Sequence, residues 1–186
     1  MQKSKKEGLC GNSVILWKHL RLTGFSATMV KKGGMTMDYT ALHEQVKALI
    51  AGVPHKIANL ANVSAVIWHE MENINWAGFY LMKQGKLVLG PFQGKPACIE
   101  IPLGRGVCGT AAAEKRTVLV EDVHQFPGHI ACDSASNSEI VIPIFHKNDV
   151  YGVLDIDSPY YSRFSQEDRL GLEKLVEILE EALFTY

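Results

Sequence analysis

The sequence predicts an α+β fold in which a mostly antiparallel sheet lies between terminal helices. Amphipathic helical patterns begin and end the main part of the chain, and the apolar segments between them are short and rich in β-branched and aromatic residues. Two of those segments, 139–146 and 150–157, are joined by the turn Lys147-Asn148-Asp149 and therefore predict a hairpin. Hairpin-linked strands between helices favour an antiparallel sheet with its helices gathered on one face.

Each predicted element has a local signal. Apolar spacing predicts helices at 39–51, 55–70, 106–114 and from Ser165 to about 183. Short alternating or β-branched segments predict strands at 76–82, 86–89, 100–102, 117–121, 139–146 and 150–157. Ser165 and Asp168 have the spacing of a capping box, which marks the start of the last helix. The polar stretch 122–138 is a long loop, and such loops in small domains are often functional.

Composition and charge exclude several classes of protein. The chain has 186 residues, 47% of them hydrophobic and 21% charged, with a net charge of −1. That balance gives no reason to expect binding to nucleic acid or to a membrane, and no apolar run approaches the ~18 residues of a transmembrane helix. Four cysteines are too few for a disulfide-stapled secreted scaffold, so we expect a cytoplasmic protein.

Charge is divided unevenly along the chain. Residues 1–36 carry seven basic side chains and one acidic side chain, a charge of +6, whereas residues 37–186 carry −7. A basic leader can be a targeting peptide, but its apolar run at 14–17 is too short for a signal sequence. We predict that 1–36 is a basic extension, disordered or upstream of the native start, and that 37–186 is the catalytic domain.

Three cysteines lie in segments rich in glycine, proline or polar residues: Cys98, Cys108 and Cys132. At the start of a predicted helix, backbone N–H groups and Arg105 would lower the pKa of the Cys108 thiol. In the long loop, His124 and His129 could stabilise a Cys132 thiolate. Three unreactive buried cysteines and a Cys-His-Asp nucleophile remain alternatives. No metal site is predicted, because closely spaced ligand pairs such as C-x₂-C are absent.

Acidic and aromatic residues share strand faces. Asp155 and Asp157 are two apart in a predicted strand, so their carboxylates point to one side, and Glu139 begins the neighbouring strand. A cationic ligand or a shared proton would relieve their repulsion, although a solvated strand end is the alternative. Trp76 and Tyr80 share one face of another strand and could form the wall of a small apolar pocket.

Several stretches carry a resemblance that spans roughly 39–183 in order. They include Asn75-Trp-Ala-Gly-Phe-Tyr80, Ala97-Cys98, Gly104-Arg-Gly-Val-Cys-Gly109, Gly128-His-Ile-Ala-Cys-Asp133 and Gly152-Val-Leu-Asp-Ile-Asp157. With these stretches the chain resembles the free methionine-(R)-sulfoxide reductases, which are GAF-domain enzymes. The resemblance implies a GAF fold with a six-stranded, mostly antiparallel sheet and helices packed against it. It also implies reduction of free L-methionine (R)-sulfoxide without a bound cofactor. Thioredoxin would be the electron donor, itself reduced by NADPH through thioredoxin reductase.

The resemblance also implies a set of site residues. Its three cysteine positions correspond to Cys98, Cys108 and Cys132, its acidic positions to Glu139, Asp155 and Asp157, and its aromatic positions to Trp76 and Tyr80. We assign Cys132 as the nucleophile, Cys98 as the resolving cysteine with Cys108 as its alternative, and Glu139 as the proton donor. Backbone N–H groups of Ile130, Ala131 and Asp133 would bind the substrate carboxylate or the oxyanion. A homodimer is consistent with the family.

Two other functions compete with this one. A non-catalytic GAF sensor would bind a small molecule or respond to redox state, but a nucleotide pocket favours basic or phosphate-cradling groups over an acidic cluster. A reductase of protein-bound methionine sulfoxide is the other, and it would need a pocket open to a peptide. Cys10 lies in the basic extension and receives no role.

Overall fold

The computed structural model describes residues 37–130 and 133–185, so the basic extension lies outside the described residues. Six strands form one sheet: β1 Trp76–Lys83, β2 Lys86–Gly94, β3 Glu100–Pro102, β4 Val118–Val120, β5 Ser138–His146 and β6 Asp149–Ser158. Their order across the sheet is β3-β2-β1-β6-β5-β4, and every neighbouring pair is antiparallel. The predicted α+β class and the six-stranded antiparallel sheet are therefore confirmed.

Four helices accompany the sheet: α1 Tyr39–Ile50, α2 Lys56–Glu70, α3 Gly106–Glu114 and α4 Gln166–Phe184. Helices α1, α2 and α4 bury their apolar side chains against one sheet face, which includes Phe79 and Leu154. Helix α3 packs on the opposite face, against a second apolar cluster that includes Tyr80 and Val153. The prediction that all helices gather on one face is wrong. Because β1 is apolar and buried on both sides, both faces must be covered.

Helix α4 begins as the sequence predicts. The Ser165 hydroxyl accepts a hydrogen bond from the backbone N–H of Asp168, and the Asp168 carboxylate accepts one from the N–H of Ser165. This reciprocal capping satisfies donors that the first helical turn leaves without partners. None of the helices in the described ranges is long and apolar enough to cross a membrane.

Strand β2 is longer than predicted. Pairing with β1 carries it from Lys86 to Gly94, which lies opposite Trp76, so the predicted end at 89 is five residues short. The register shifts between Gly78 and Tyr80, where the pairing contains a bulge. The extension brings Phe92 beside Gly78 and delivers the chain to Lys95 at the same edge of the sheet where β1 begins.

Candidate active site

An acidic cluster lies on the sheet face that α3 covers. Glu139 on β5 is directly opposite Asp157 on β6, and Asp155 is two residues earlier on the same strand. Glu139 and Asp155 are each only 6% exposed. The period-2 prediction that these carboxylates share a face is confirmed, and the alternative of a solvated strand end is wrong, since two of the three are buried inside the protein.

Burial and mutual repulsion raise the pKa values of these acids. Burial, followed by the charges of Asp155 and Asp157, raises the pKa of Glu139 well above its ordinary value. The pKa of Asp157 is raised in the same way, by burial and by the charges of Asp155 and Asp133. Burial also raises the pKa of Asp155 to about 6, although hydrogen bonding with Cys108 and Glu139 opposes it. The cluster can therefore hold and deliver a proton near neutral pH.

Cys108 projects from α3 into this cluster. Its Sγ lies 3.9 Å from Glu139 Oε1, and the side chain is buried as a free thiol. Burial, and then the charges of Asp155 and Glu139, raise its pKa well above the ordinary value. The expectation that the helix N-terminus and Arg105 lower this pKa is wrong, because desolvation and neighbouring carboxylates dominate. The thiol is a poor nucleophile at neutral pH.

The same groups have the donor types of a metal site. Ligand atoms of Cys108, Glu139 and Asp155 lie within 4.8 Å of one another. A cation there would need the thiol and both carboxylates to lose their protons, which their raised pKa values oppose. The cluster suits a ligand ammonium or a shared proton better than a resident metal ion.

An aromatic wall stands beside the acids. The Trp76 ring stacks on Tyr80, with ring centroids 5.9 Å apart, and on Phe92 at 5.3 Å. Gly78 makes room for this stack, since a Cβ there would come 2.3 Å from the Phe92 Cβ. The wall predicted from Trp76 and Tyr80 is present. Phe92 was missed because it follows the predicted end of its strand, and only the full β2 pairing reveals it.

The predicted resolving cysteine lies at the rim of this wall. Cys98 is disulfide-bonded and only partly exposed. Its backbone carbonyl accepts a hydrogen bond from the Tyr80 hydroxyl at 2.9 Å, which ties the cysteine segment to the pocket wall. The predicted nucleophile Cys132 and its neighbour Ala131 lie outside the described residues, as does Cys10.

The long loop supplies the remaining side of the site. The Asp133 carboxylate accepts hydrogen bonds from the Ala135 N–H at 3.0 Å and Asn75 Nδ2 at 3.2 Å, and Lys95 Nζ lies at 3.4 Å. These partners, the Ala135 N–H foremost, lower the pKa of Asp133 despite its partial burial. Ile130 lies at the edge of the pocket, against Gly106.

The surroundings of the two loop histidines do not support the thiolate-stabilising role that the sequence predicts for them. Burial, together with the charge of His124, lowers the pKa of His129, so its ring is neutral at pH 7 and supplies no positive charge. His124 is exposed, and its Nε2 lies 3.0 Å from Asn137 Oδ1. Stabilisation of a thiolate by an imidazolium is therefore not supported by the described histidines.

These groups enclose a pocket of about 380 Å³, counting its open mouth. The described residues that line it are Tyr80, Ile101, Gly106, Val107, Cys108, His129, Ile130, Asp133, Ser136, Glu139, Asp155 and Asp157. None of these residues is a lysine or an arginine, so the pocket offers acids and apolar surface but no cationic side chain at neutral pH.

Comparison with known proteins gives the family. The model of the GAF domain family matches residues 37–183. A free methionine-R-sulfoxide reductase from Escherichia coli K12 is 56% identical over 150 residues, which cover 81% of this chain and 91% of that protein. The structure of fRMsr from Staphylococcus aureus in complex with substrate is similar at 51% identity and a TM-score of 0.77, covering 84% of this chain and 99% of that one.

A second substrate complex agrees with the first. The free methionine-R-sulfoxide reductase from Neisseria meningitidis, solved with its substrate, is 42% identical, with a TM-score of 0.78 over 84% of this chain and 95% of that one. These relatives share the sheet, the helices and nearly the full length of the described domain with this protein. The chain belongs to the GAF-domain family of free methionine-(R)-sulfoxide reductases.

Proposed function

We propose that this protein reduces free L-methionine (R)-sulfoxide to L-methionine. One observation carries the proposal: Asp155 Oδ1 is buried in the pocket and has no hydrogen-bond partner among the described residues. A buried acceptor left without a partner costs about 1–3 kcal/mol, and native sites usually satisfy it with a ligand or water. The ammonium of a free amino acid would supply both the missing donors and the compensating charge.

The rest of the pocket matches the other parts of this substrate. The aromatic wall of Trp76 and Tyr80 suits the sulfoxide methyl group, because an apolar methyl gains most from a flat apolar surface. Backbone N–H groups of Ile130, Ala131 and Asp133 would receive the substrate carboxylate. Asp157, beside Asp155, would share the ammonium. Relatives solved with their substrate support the same ligand class.

Glu139 is the proton donor in the proposed reaction. Its raised pKa keeps the carboxyl protonated near neutral pH, which is the state a general acid needs. The Cys132 thiolate attacks the sulfoxide sulfur and forms a sulfur–sulfur bond while Glu139 protonates the oxygen. The hydroxyl group then moves from the substrate sulfur to the Cys132 sulfur, the sulfur–sulfur bond breaks with its electron pair on the substrate sulfur, and methionine leaves. Cys132 is thereby oxidised to sulfenic acid while the substrate sulfur is reduced by two electrons.

A second thiol then resolves the sulfenic acid. The Cys98 thiol attacks the sulfenic sulfur, a disulfide forms and water leaves, and the dithiol of thioredoxin reduces that disulfide by exchange. The disulfide bonding of Cys98 and the raised pKa of the buried Cys108 thiol support Cys98 as the resolving residue. NADPH, through thioredoxin reductase, would return thioredoxin to its reduced state. This cycle would suit a role in oxidative stress.

A GAF sensor is the competing function. Sensors that bind nucleotides need donors or cations for phosphate, whereas the described lining of this pocket is acidic and apolar. The redox-active pair is also unnecessary for a small-molecule sensor. Calorimetry with cyclic nucleotides tests this alternative directly, and tight binding without sulfoxide reduction would favour it.

The assay that tests the proposal is thioredoxin-coupled NADPH oxidation with four substrates: the free (R) epimer, the free (S) epimer, the N-acetylated (R) epimer and a peptide containing the sulfoxide. We expect turnover of the free (R) epimer alone. The acetylated compound keeps the sulfoxide but lacks the ammonium, so its rate reports on the carboxylates. No turnover of the free (R) epimer, or an equal rate with the peptide, would refute the proposal.

Cysteine variants separate the two thiol steps. After one equivalent of substrate and no reductant, Cys132→Ser is expected to release no methionine, and Cys98→Ser is expected to release one equivalent without forming a disulfide. Cys108→Ala keeps both steps, since its thiol is buried and protonated. Mass mapping of the disulfide in each variant is the measurement. A disulfide that requires Cys108 would overturn the assignment of Cys98.

A further inference from the structure

Two side chains of β1 form hydrogen bonds to the segment that carries Cys98. The Trp76 indole Nε1 donates a hydrogen bond to the Lys95 carbonyl at 3.2 Å, and the Tyr80 hydroxyl donates to the Cys98 carbonyl at 2.9 Å. Both donors are side chains of one strand, and both are almost fully buried. The Cys98 segment is therefore held at two points on β1.

Asn75, the residue before Trp76, forms hydrogen bonds to the segment that contains Asp133 and Ser136. Asn75 Nδ2 donates to Asp133 Oδ2 at 3.2 Å and to Ser136 Oγ at 3.0 Å. Its backbone N–H donates to the Asp157 carbonyl at 2.9 Å, which keeps Asn75 in line with the sheet. Both side-chain hydrogen bonds of its amide thus go to the loop that continues from Cys132, and Asn75 Oδ1 is buried without a partner among the described residues.

Disulfide formation depends on the relative position of these two segments. The sulfur–sulfur bond has narrow geometric limits, with Cα atoms about 4.4–6.8 Å apart. A displacement of about 1 Å in reacting groups can reduce a rate by about a hundredfold. We propose that Asn75 is a positioning residue for the resolving step, holding the loop that bears the nucleophile in register with the Cys98 segment on β1.

Lys95 cannot replace Asn75 in this role. Its Nζ lies 3.4 Å from Asp133 Oδ1, and it therefore links the two segments directly, but its side chain is 69% exposed. Exposed ion pairs contribute little because solvent screens them and both side chains must be ordered. Asn75, by contrast, donates to an Asp133 side chain that is 8% exposed and to a Ser136 that is 4% exposed.

The inference rests on the proposed function, and rapid-quench single turnovers separate the two. Methionine release and loss of free thiols are followed independently in wild type, Asn75→Ala and the control Asn148→Ala, which alters an exposed residue of the distant β5–β6 turn. In Asn75→Ala we expect methionine release within about threefold of wild type and disulfide formation at least about tenfold slower. Methionine release needs only the Cys132 thiol and a substrate whose carboxylate is bound by the same loop, whereas disulfide formation also needs Cys98, which Tyr80 holds on β1.

The variant Asn75→Asp tests the positioning role through the pH dependence of disulfide formation. A residue with a purely structural role would not change that dependence. A carboxylic acid there can still donate to Asp133, but once ionised it repels the Asp133 carboxylate. The charged groups around this contact are Asp133 and Lys95, with Asp157 behind them. We expect disulfide formation in Asn75→Asp to be close to wild type at pH 5 and at least about tenfold slower at pH 8.

The outcomes are distinct. A selective, pH-dependent loss of the resolving step supports the inference. Equal slowing of both steps in Asn75→Ala, or a rate ratio of Asn75→Asp to wild type that is constant from pH 5 to pH 8, overturns it. If wild type itself releases no methionine, the proposed function fails instead. Thermal unfolding of each variant identifies any that does not fold, and the pH dependence of Asn75→Asp then remains the deciding measurement.

Discussion

At the scale of single residues, the type of a side chain does not by itself determine its protonation state, which depends on the groups around it. Cys108 is a thiol whose sequence neighbours suggest activation, yet Glu139 and Asp155 surround it and raise its pKa. Glu139 is an acid whose ordinary state at pH 7 is ionised, yet burial among other acids keeps its proton. In two side chains 3.9 Å apart, the surroundings thus favour the protonated form of both the carboxyl and the thiol.

Gly78 is the residue on which the aromatic wall depends. It lies opposite Asp155, and a Cβ at this position would meet the Phe92 Cβ at 2.3 Å and the Trp76 ring at 2.8 Å. We expect Gly78→Ala to displace these rings, raise KM for the sulfoxide about tenfold, and lower the free energy of unfolding by about 1–3 kcal/mol. Steady-state kinetics and urea unfolding measure the two effects.

Gly152→Ala is the matched control for that change. A Cβ at Gly152 is equally crowded, at 2.4 Å from the Tyr80 carbonyl oxygen, but it faces the side of the sheet that α1, α2 and α4 cover, next to Leu81. Destabilisation without a change in KM is expected there. An equal rise of KM in both alanine variants would contradict the prediction that Gly78 has a specific role in positioning the aromatic wall.

At the scale of elements, the sequence predicts what depends on neighbours along the chain. The capping box at Ser165 and Asp168 is local, and it is confirmed. The end of β2 was predicted five residues early, because Gly90 and Pro91 interrupt the alternation and only pairing with β1 continues the strand. The face that α3 covers was also missed, since its small residues give no strong apolar stripe and its partners are distant in sequence.

Asp168 joins the start of α4 to the start of α1. Its carboxylate accepts hydrogen bonds from the Ser165 N–H and from the Tyr39 hydroxyl at 2.8 Å, and it pairs with Arg163. Asp168→Ala removes all of these contacts and leaves the partly buried Tyr39 hydroxyl and Arg163 guanidinium without this partner. We expect the free energy of unfolding to fall by about 2–4 kcal/mol, as the sum of a lost cap and lost partly buried hydrogen bonds.

Chemical unfolding of three variants tests this. Asp168→Asn keeps an acceptor without the charge, so its loss should lie between wild type and Asp168→Ala. Glu44→Ala removes an exposed ion pair with Lys47 on α1 and should change stability by less than about 0.5 kcal/mol. A loss in Asp168→Ala no larger than in Glu44→Ala would show that the contacts around Asp168 contribute no net stability.

At the scale of the whole molecule, the site is built by the sheet. Alternation along β6 was enough to predict that Asp155 and Asp157 share a face, and the pairing of β5 with β6 then adds Glu139. Neither the burial of these acids nor the resulting pKa values could be predicted from spacing, since both depend on α3 closing over them. The length and polarity of the loop at 122–138 predict a functional loop, while its attachment to Asn75 is a contact between residues 58 apart.

The buried acids link the stability of the fold to pH. The pKa of Asp155 is raised from 3.8 to about 6, so the folded protein binds this proton more tightly than the unfolded chain does. Its stabilising contribution is therefore complete below about pH 4 and is lost as pH rises through about 6. Glu139 and Asp157, whose pKa values are also raised, act in the same direction at higher pH.

We therefore expect the substrate-free protein to lose stability between pH 5 and pH 8, and Asp155→Asn to lose less. The shift of Asp155 corresponds to about 3 kcal/mol in total, and its removal also relieves the repulsion that raises the pKa of Glu139. Urea unfolding at four pH values measures the slope, with Asp149→Asn, an exposed acid on the same strand, as the control. His129, whose pKa is lowered, contributes the opposite slope equally in every variant, so its contribution cancels in the difference between Asp155→Asn and wild type. Parallel pH profiles of the free energy of unfolding for Asp155→Asn and wild type would contradict the prediction. They would also contradict the inference that the raised pKa of Asp155 makes the fold less stable as pH rises.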